Sequence, residues 1–357
     1  MPSHPKILYF TKYSRNAGSS RLRSFQYFPY LEKAGFEVEV SPLFIENYLV
    51  QLYAGKSTLV EAVLGYGKRF LKLFTVGNYD TIVIEKELFP YLPSFAEYLL
   101  KLFGKKYIVD YDDAIFHNYD QSSNPLLKLF LSKKIDTVMK NAAVVVAGNS
   151  YLADRAKKAG AQKIEIIPTV IDLERYPFQV KKESEKFVIG WIGTKSTFEK
   201  HLLPQRNWII KLQEDATIEF HIVGITEDMN LGKNVKYIPW TEETEVEHIR
   251  QFDMGIMPLQ DSLWEKGKCS YKIIQYFACS IPAIASPVGM NNEVINEGEN
   301  GFLVNGEKEW LEKIKYLKTN IEERNRMGQK GREEVEGKFS LQATSKKWKE
   351  ILERTNK

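Results

Sequence analysis

Short runs of Val, Ile, Tyr and Phe alternate with helical patterns along the chain. In the first half the runs predict six strands, at 6–11, 36–40, 79–85, 106–112, 142–148 and 163–169. Because these runs are continuously apolar, they indicate strands buried on both faces, as in a parallel sheet covered by helices. Amphipathic patterns between them predict helices at 21–33, 93–103, 126–140 and 150–158. This order is typical of an open, doubly wound α/β fold.

The alternation stops at 173–186, a polar and charged stretch that we interpret as a linker. It then restarts, and predicts strands at 186–193, 217–225, 234–240, 254–259, 282–288 and 301–304. Helices are predicted at 201–214, 245–252, 270–279, 309–320, 321–336 and 341–354. We therefore expect two Rossmann-like doubly wound domains, at 1–172 and 187–337, followed by a C-terminal helix within 338–357. Such domains bind ligands at the carboxyl edges of their sheets, in a cleft between them.

Composition narrows the class of protein. The 357 residues are 43% hydrophobic and 27% charged, which excludes wholesale disorder. No apolar run reaches the roughly 18 residues of a membrane span, and the first residues lack the pattern of a signal peptide. A cytoplasmic protein is the expectation.

The balance of charge does not favour a nucleic-acid partner, since 50 basic and 46 acidic residues give only +4. The basic surplus lies in the first half, which leaves open an anionic partner such as a phosphorylated acceptor or a membrane surface. Cys269 and Cys279 are too few for a disulfide framework or a structural zinc site. We interpret both as small packing residues rather than reactive thiols.

The most informative segment is 264–289, where a Gly-Lys-Cys-Ser loop leads into a predicted helix. Ser270 suits the N-cap, with Lys268 before it and Lys272 in the first turn. Cations are disfavoured near a helix N-terminus, so these lysines indicate an anionic ligand such as a diphosphate, held by the helix amides. Solvated surface lysines are the alternative. Gln275 either presents its amide to a ribose or is plain helix surface.

A second candidate turn follows the first strand of the second domain. Gly193 would let the backbone approach a ligand, while Thr194 and Lys195 supply hydrogen-bond donors. Two lysine-bearing turns in one domain together favour a nucleotide-diphosphate site.

A third candidate follows the first strand of the chain. There Gly18 would open a turn and Ser19 or Ser20 would cap a helix, whose first turns carry Arg21 and Arg23. Basic charge at this position again hints at an anionic ligand. With one glycine, the segment is not a dinucleotide-binding fingerprint.

Together these segments resemble a family-4 glycosyltransferase of the two-domain GT-B fold over nearly the whole chain. The likeness is carried by residues 18–23, 111–116, 167–172, 190–193, 268–272, 275–279, 286–289, 299–303, 327–328 and 331–332. The final helix is similar to the one that crosses back to the first domain in this family. The resemblance implies transfer of a sugar from a nucleotide-diphosphate-sugar to an acceptor hydroxyl, with retention and without metal or cofactor. The implied setting is polysaccharide or glycoconjugate biosynthesis.

The chain departs from the family pattern around the phosphate-binding helix. The usual paired glutamates fall on Gly267 and Gln275, with Glu265 two places away. The sequence resembles a subgroup in which Lys268 and Lys272 accompany the glutamine. In the first domain, Asp112 or Asp113 stands where a histidine is common.

The residues and the resemblance together suggest three groups of site residues. For catalysis these are Lys268, Asp113 and Asp112; for the donor, Gly193, Thr194, Lys195, Cys269, Ser270, Tyr271, Lys272 and Gln275; and for the acceptor, Gly18, Ser19, Arg21 and His117. His117 as a surface loop residue is the simpler interpretation. Asp110-Tyr111-Asp112 resembles a metal-binding D-x-D motif, but its place at the end of a first-domain strand argues against that role.

Residues 43–75 carry apolar faces, aromatics and the cluster Lys68, Arg69 and Lys72. We hypothesise peripheral attachment to anionic lipid and a glycan or lipid-linked acceptor. Ordinary core helices with solvated lysines are the alternative. Two other functions share the predicted architecture, a sugar-nucleotide epimerase and a non-catalytic sugar-nucleotide-binding partner of another transferase.

Overall fold

The computed structural model describes residues 4–179 and 185–356, which form two compact units. The first contains residues 4–169, 267–269 and 344–356, and the second contains 170–179, 185–266 and 270–343. The predicted linker at 173–186 lies partly outside the described residues, at 180–184. Within 173–179 the chain has no helix or strand, yet Tyr176 is buried in the second unit.

The first unit is built on a six-stranded parallel sheet. Its strands are β1 (Lys6–Phe10), β2 (Glu37–Val40), β3 (Thr81–Glu85), β4 (Tyr107–Tyr111), β5 (Val144–Ala147) and β6 (Ile164–Ile166). Their order across the sheet is β2-β1-β3-β4-β5-β6. Every residue of β3 and β4 is buried, including the acids Glu85 and Asp110, as expected for strands covered on both faces.

The helices of the first unit follow the strands in a regular way. They are α1 (Gly18–Arg23), α2 (Phe28–Lys33), α3 (Glu46–Tyr53), α4 (Leu59–Leu73), α5 (Phe95–Leu102), α6 (His117–Asp120), α7 (Pro125–Leu131), α8 (Lys134–Asn141) and α9 (Ser150–Ala159). The connections from β2 to β3, β3 to β4 and β4 to β5 all step in the same direction. Right-handed crossovers therefore place α4, α5, α7 and α8 on one face of the sheet.

Two of the predicted helices are interrupted. The helix predicted over 21–33 consists of α1, a 3₁₀ turn at Phe25–Tyr27 and α2, because Pro29 lacks an N–H and starts a new helix better than it continues one. The helix predicted over 126–140 consists of α7 and α8. The break between them turns Lys134 inward, where its ammonium group binds Glu87.

The second unit contains another six-stranded parallel sheet. Its strands are β7 (Phe187–Ile192), β8 (Ile218–Val223), β9 (Val235–Ile238), β10 (Met254–Met257), β11 (Ala283–Ala285) and β12 (Gly301–Leu303), in the order β12-β11-β10-β7-β8-β9. The twelve predicted strands are all present, with shorter ends. The predicted α/β class with two doubly wound sheets is confirmed.

The remaining helices are α10 (Lys195–Thr197), α11 (Arg206–Leu212), α12 (Glu245–Arg250), α13 (Leu263–Lys266), α14 (Tyr271–Ala278), α15 (Asn291–Val294), α16 (Gly306–Thr319), α17 (Ile321–Lys338) and α18 (Leu341–Asn356). The helix predicted from residue 201 begins only at Arg206, after a π turn and a 3₁₀ turn that contains Pro204. In the core, the rings of Trp208 and Trp310 stack with centroids 5.3 Å apart.

Most of α18 belongs to the first unit. The Trp348 ring lies 5.8 Å from the ring of Tyr27, whose hydroxyl shares a 2.9 Å hydrogen bond with Thr344. Within 4–179 and 185–356, no helix has the length and apolar character needed to cross a bilayer.

Candidate functional site

Charged side chains gather where the central strands of the first unit end. β3 ends at Glu85 and is followed directly by Lys86 and Glu87, while β4 is followed by Asp112 and Asp113. The carboxyl ends of parallel strands meet at one edge of a sheet, so these groups are brought together. This edge contains the predicted catalytic pair of aspartates.

Lys86 holds both aspartates. Its Nζ lies 2.9 Å from Oδ1 of Asp112, 3.2 Å from Oδ2 of Asp113 and 3.2 Å from the hydroxyl of Ser19. Ser19 in turn donates a 2.7 Å hydrogen bond to Oδ2 of Asp112. The ammonium group thus binds three oxygens, one from α1 and two from the loop after β4, and it fixes the positions of both carboxylates.

Burial and charge act against each other in this cluster. The Lys86 side chain is only 6% exposed, and burial alone would lower its pKa, but the neighbouring carboxylates raise the pKa well above its ordinary value. Burial would also raise the pKa of Asp112, yet Lys86 and Arg23 hold it at about 2. Lys86 is therefore an ammonium ion and Asp112 a carboxylate at neutral pH.

Sequence reasoning missed Lys86, although a signal was present. Three consecutive charges, at 85–87, directly follow the apolar residues Ile82-Val83-Ile84, and this is unusual because charged side chains are rarely buried unless they are paired. The backbone of Lys86 has φ +68°, in the left-handed region that costs a side-chain-bearing residue about 1 kcal/mol. Its N–H donates a 2.9 Å hydrogen bond to the Asp110 carbonyl and so extends the β3–β4 pairing. Strain of this kind gathers at functional sites.

A second layer of buried polar groups supports this edge. Ser20 donates to Glu85 at 2.7 Å, and burial raises the pKa of Glu85. Arg23 makes two hydrogen bonds to Asp110, one of them from Nε at 2.9 Å. The carboxylates of Asp110 and Asp112, the two acids of the D-x-D pattern, are therefore each engaged by a basic side chain. Among the described residues, no group of three acidic, histidine or cysteine side chains is arranged to hold a metal ion.

The predicted acceptor residues adopt a different local structure from the one expected. Gly18 is the first residue of α1 and does not have a positive φ, and Ala17, not a serine, stands at the N-cap. Ser19 and Ser20 do not cap because their hydroxyls bind the carboxylates beneath them. Arg21 is buried in the same helix.

His117 is not a surface loop residue. It is buried at the start of α6, where Nδ1 lies 2.7 Å from Oδ1 of Asp120 and Nε2 lies 2.9 Å from the hydroxyl of Tyr151. Both ring nitrogens are engaged within the first unit.

The loop before α14 begins in the first unit. Residues 267–269 pack there, and Cys269 donates from Sγ to the Asp112 carbonyl at 3.1 Å. The Asn149 side chain donates to the Lys268 carbonyl at 3.0 Å, which fixes the backbone of this lysine. Burial raises the pKa of the Cys269 and Cys279 thiols to about 12, in agreement with packing roles.

Ser270 occupies the N-cap position of α14 but does not cap the helix. Its backbone is left-handed, with φ +48°, and its hydroxyl donates instead to Oδ1 of Asn291 at 2.7 Å. In the first turn of α14, Tyr271 is half-buried and the ammonium group of Lys272 lies 4.5 Å from the centre of the Trp191 ring. Lys272 is therefore held against an aromatic face and is not freely solvated.

Gln275 is not part of the exposed helix surface. It is buried, and its amide donates a 2.9 Å hydrogen bond to the hydroxyl of Tyr176, which in turn donates to Glu245 at 3.1 Å. The interpretation of Gln275 as plain helix surface is wrong, because Tyr176 comes from the segment predicted as a linker and covers this side of α14. A contact between the Gln275 amide and a ribose stays a prediction.

The turn after β7 has the close packing that a glycine permits. A Cβ on Gly193 would lie 2.6 Å from the Trp191 ring and 2.8 Å from the hydroxyl of Thr197. Thr194 and Lys195 are exposed, and Lys195 pairs with Glu227 at 2.8 Å.

Sequence reasoning also gave no role to the environment of Glu265. Its carboxylate is fully buried, lies 2.6 Å from Nζ of Lys200 and 3.4 Å from Nε2 of His201, and accepts a hydrogen bond from Ser262. Although burial opposes ionisation, the hydrogen bonds from Lys200 and Ser262 lower the pKa of Glu265. A buried, ionised acid thus lies two residues before Gly267 in the sequence.

The second unit matches a known family of transferases. Residues 186–320 match the family model described as "Glycosyl transferases group 1". Spore coat protein SA of Bacillus subtilis is 34% identical over 80 residues, which cover 22% of this chain. That alignment spans about a fifth (21%) of the length of the curated relative.

Solved structures match nearly the whole chain. A glycosyltransferase from Rickettsia africae has a TM-score of 0.71 at 15% identity and covers 99% of both chains. Anabaena HepE in complex with UDP has a TM-score of 0.67 at 14% identity, over 98% of this chain and 100% of that one. The fold is GT-B. At these identities the structural likeness concerns the fold, and together with the match at 186–320 it supports a GT-B glycosyltransferase.

Proposed function

We propose that this GT-B protein is a family-4 glycosyltransferase that moves a sugar from a nucleotide-diphosphate-sugar to an acceptor hydroxyl, with retention. The match of residues 186–320 to the group 1 glycosyltransferase model carries the proposal, because the fold alone hosts unrelated activities. The complex of HepE with UDP supports a nucleotide diphosphate as part of the donor. The product would enter a polysaccharide or glycoconjugate.

In the proposed reaction, the leaving nucleotide diphosphate gains negative charge as the glycosidic bond to it breaks. Preorganised cations and helix amides stabilise such charge. We assign this role to Lys268 and the amino end of α14, with Lys272, Thr194 and Lys195 as further donors. Gln275 acts indirectly, because its bond to Tyr176 fixes α14 from the buried side.

Asp113 is the proposed contact of the acceptor hydroxyl. Its carboxylate is about a third exposed (30%), and Oδ2 binds Lys86. From the described residues, Oδ1 accepts no hydrogen bond, so it is available to orient a hydroxyl. Lys86 positions this carboxylate and neutralises part of the charge of the pair. The leaving phosphate then takes the acceptor proton, and no protein base is needed.

The reaction is proposed to be independent of metal. The support for this is that Arg23 binds the carboxylate of Asp110 and Lys86 binds the carboxylate of Asp112. Both acids of the D-x-D pattern therefore already have cationic partners. We expect transfer to continue in EDTA. Loss of transfer in EDTA and its recovery with manganese would contradict this part of the proposal.

A thermal-shift screen with UDP, GDP, ADP and their sugars tests the donor class, because a bound ligand raises the melting temperature. At least one diphosphate should raise it, and Lys268→Ala should weaken binding of that diphosphate about tenfold or more. Lys308→Ala, which removes an exposed lysine of α16 in the second unit, is the control. No shift with any diphosphate would refute the proposal.

The chemical step needs a second assay, in which the donor that binds is incubated with and without candidate acceptors. A new glycoside with the anomeric configuration of the donor supports retaining transfer. An isomerised sugar nucleotide formed without acceptor would identify an epimerase. Binding without hydrolysis, isomerisation or transfer would identify a non-catalytic partner.

A further inference from the structure

Large apolar side chains are exposed mainly in one part of the first unit. Of the 26 exposed large hydrophobic residues in the described parts of the chain, 19 lie between residues 45 and 130. Fourteen of these belong to α4, α5, α7 or the residue that follows α4 or α5: Leu59, Val60, Val63, Leu64, Phe70, Leu71, Phe74, Phe95, Tyr98, Leu102, Phe103, Leu126, Leu129 and Phe130. Exposed apolar patches of this kind usually mark an interaction site.

The most extensive part of this surface is on α4, an amphipathic helix whose apolar side faces solvent. The exposed apolar residues recur at intervals of three and four along the helix and so form one stripe. The opposite side contains Gly65, Arg69 and Leu73, which are buried. Gly65 packs against the Leu43 carbonyl, where a Cβ would clash. The side of α4 that packs toward the sheet is therefore the one with Gly65, Arg69 and Leu73, and the apolar stripe is exposed to solvent.

The predicted basic cluster of this region is not a surface cluster. Arg69 is buried, and its guanidinium group donates to the carbonyls of Leu88 at 3.2 Å and Ser41 at 2.7 Å. Lys72 binds Glu39 and donates to the Tyr79 hydroxyl at 2.6 Å. Only Lys68 of the three is exposed. The alternative of ordinary core helices is wrong for the exposed side of α4, and only one of the three expected basic residues is exposed. Peripheral attachment to anionic lipid stays a prediction.

The three helices are linked through the residues between them. They lie on the same face of the sheet, as the direction of their crossovers requires. The ring of Phe89 links two of them, with centroids 5.5 Å from Tyr66 of α4 and 5.8 Å from Phe95 of α5. Both α5 and α7 pack against α8. The apolar residues of α4, α5 and α7 can therefore meet one flat partner together.

The charges on these helices select the partner. Lys68, Lys101, Lys128 and Lys133 are exposed on or beside them, one or two for each helix. The acids of the same helices are not exposed, since Glu61 is half-buried and Glu97 is buried. A second copy of the chain would bring like charges together at the same patch. An anionic membrane offers both an apolar layer and opposite charge.

We infer that α4, α5 and α7 are a docking surface for an anionic lipid bilayer, into which their exposed leucines and phenylalanines insert while the flanking lysines meet lipid headgroups. This inference goes beyond the transfer reaction and does not depend on it. It would place a first-unit acceptor site close to lipid, where a lipid-linked acceptor is presented.

Flotation of the full chain with vesicles tests the inference. We expect the protein to float with phosphatidylcholine vesicles that contain phosphatidylglycerol, and less with phosphatidylcholine alone. The triple variant Leu71→Ser, Leu129→Ser, Phe130→Ser should lower the bound fraction about tenfold. The control Ile210→Ser, Ile321→Ser, which changes two exposed apolar residues of the second unit, should leave binding unchanged. Equal melting temperatures of the variants exclude misfolding as the cause.

A second pair of variants tests how much the exposed lysines contribute to vesicle binding. Lys68→Glu with Lys128→Glu should reduce binding to anionic vesicles and weaken its dependence on salt, because exposed charges are screened by salt. Lys308→Glu with Lys315→Glu, an equal change of charge in the second unit, should have a smaller effect.

Three results would overturn the inference: no flotation, flotation that the serine variants do not change, or self-association in solution that the serine variants abolish without any vesicle binding. The last result would assign the surface to a second copy. The nucleotide screen and the flotation assay test different properties. A negative result in the nucleotide screen would refute the proposed function without affecting the inference about the membrane.

Discussion

Replacing Lys86 by methionine removes the cation that holds the two aspartates of the first unit. The side chain keeps a similar length and apolar stem, so the change chiefly deletes the ammonium group. Asp112, with an 11% exposed side chain, would then lose its 2.9 Å partner and keep only its hydrogen bond from Ser19 and the more distant charge of Arg23. The variant isolates the free energy of this ion pair.

The size of the effect follows from the acidity of Asp112. Its pKa falls from 3.8 to about 2 in the folded protein, which corresponds to roughly 2.5 kcal/mol at about 1.4 kcal/mol for each factor of ten. Part of this stabilisation comes from groups that remain in the variant. The loss is increased, however, because removing one partner of a buried ion pair leaves an unpaired charge, which costs about 3–5 kcal/mol. We expect Lys86→Met to lower the free energy of unfolding by about 3 kcal/mol at pH 7.

The loss should depend on pH in a defined direction. A carboxylate with a lowered folded-state pKa contributes stability that is complete above its unfolded pKa and disappears as pH falls through the folded value. The difference between wild type and Lys86→Met should therefore be constant above about pH 5 and shrink between about pH 4 and pH 2. Urea unfolding and hydrogen exchange of the β3 and β4 amides measure it in the first unit.

Lys134→Met provides the control, because Lys134 is, among the described residues of this unit, the other buried lysine that binds a carboxylate, that of Glu87. Both variants should be destabilised, but only Lys86→Met should raise the KM for an acceptor, and neither should change the binding of a nucleotide diphosphate. A change below about 0.5 kcal/mol at pH 7 would refute the reasoning, as would a difference that stays constant down to pH 3.

Three further outcomes test other parts of the structure. In the native protein Cys269 and Cys279 should resist iodoacetamide at pH 8 and react in urea, since burial raises their pKa values to about 12; mass spectrometry would detect labelling. Arg23→Met should destabilise the first unit by about 3–5 kcal/mol in urea because it leaves Asp110 buried without its partner, and Asp110→Asn should restore part of this loss. Gly190→Ala should lower the melting temperature of the second unit by several degrees, because a Cβ there would overlap a buried phenylalanine ring.

The strands were predictable because burial on both faces leaves a direct mark on the sequence. A run such as 79–85 has few polar positions, and the strand β3 lies within it. Helix interruptions were less visible. A proline at 29 permits either a helix start or a kink, and periodicity alone does not separate the two.

The wrong predictions about the site concern polar side chains that are buried in the folded protein. Gln275 and Arg69 are polar residues in amphipathic helices, so the pattern assigns them to the surface. Their partners, the Tyr176 hydroxyl and carbonyls from distant loops, become neighbours only in the folded chain. Lys86 is also a buried polar residue whose partners come from distant segments. It lies in a turn with positive φ, where no hydrophobic periodicity predicts which side chains are buried.

The apolar side of α4 shows the opposite error. Periodicity located that side correctly, but the usual rule that it faces the core failed, because Arg69 and Gly65 fit the narrow space over the sheet. A sequence reports which side of a helix is apolar, whereas what covers that side depends on its surroundings.

The packing of residues 344–356 into the first unit has a consequence for biosynthesis. The ribosome makes the other main parts of that unit first and must then synthesise the second unit before Trp348 emerges to pack near Tyr27. Until that moment the side chains of the nascent first unit that pack against Trp348 are exposed to solvent, and apolar surface exposed in this way is prone to aggregation. Premature termination near residue 340 would therefore harm the amino-terminal half of the protein more than the half in which the stop codon lies.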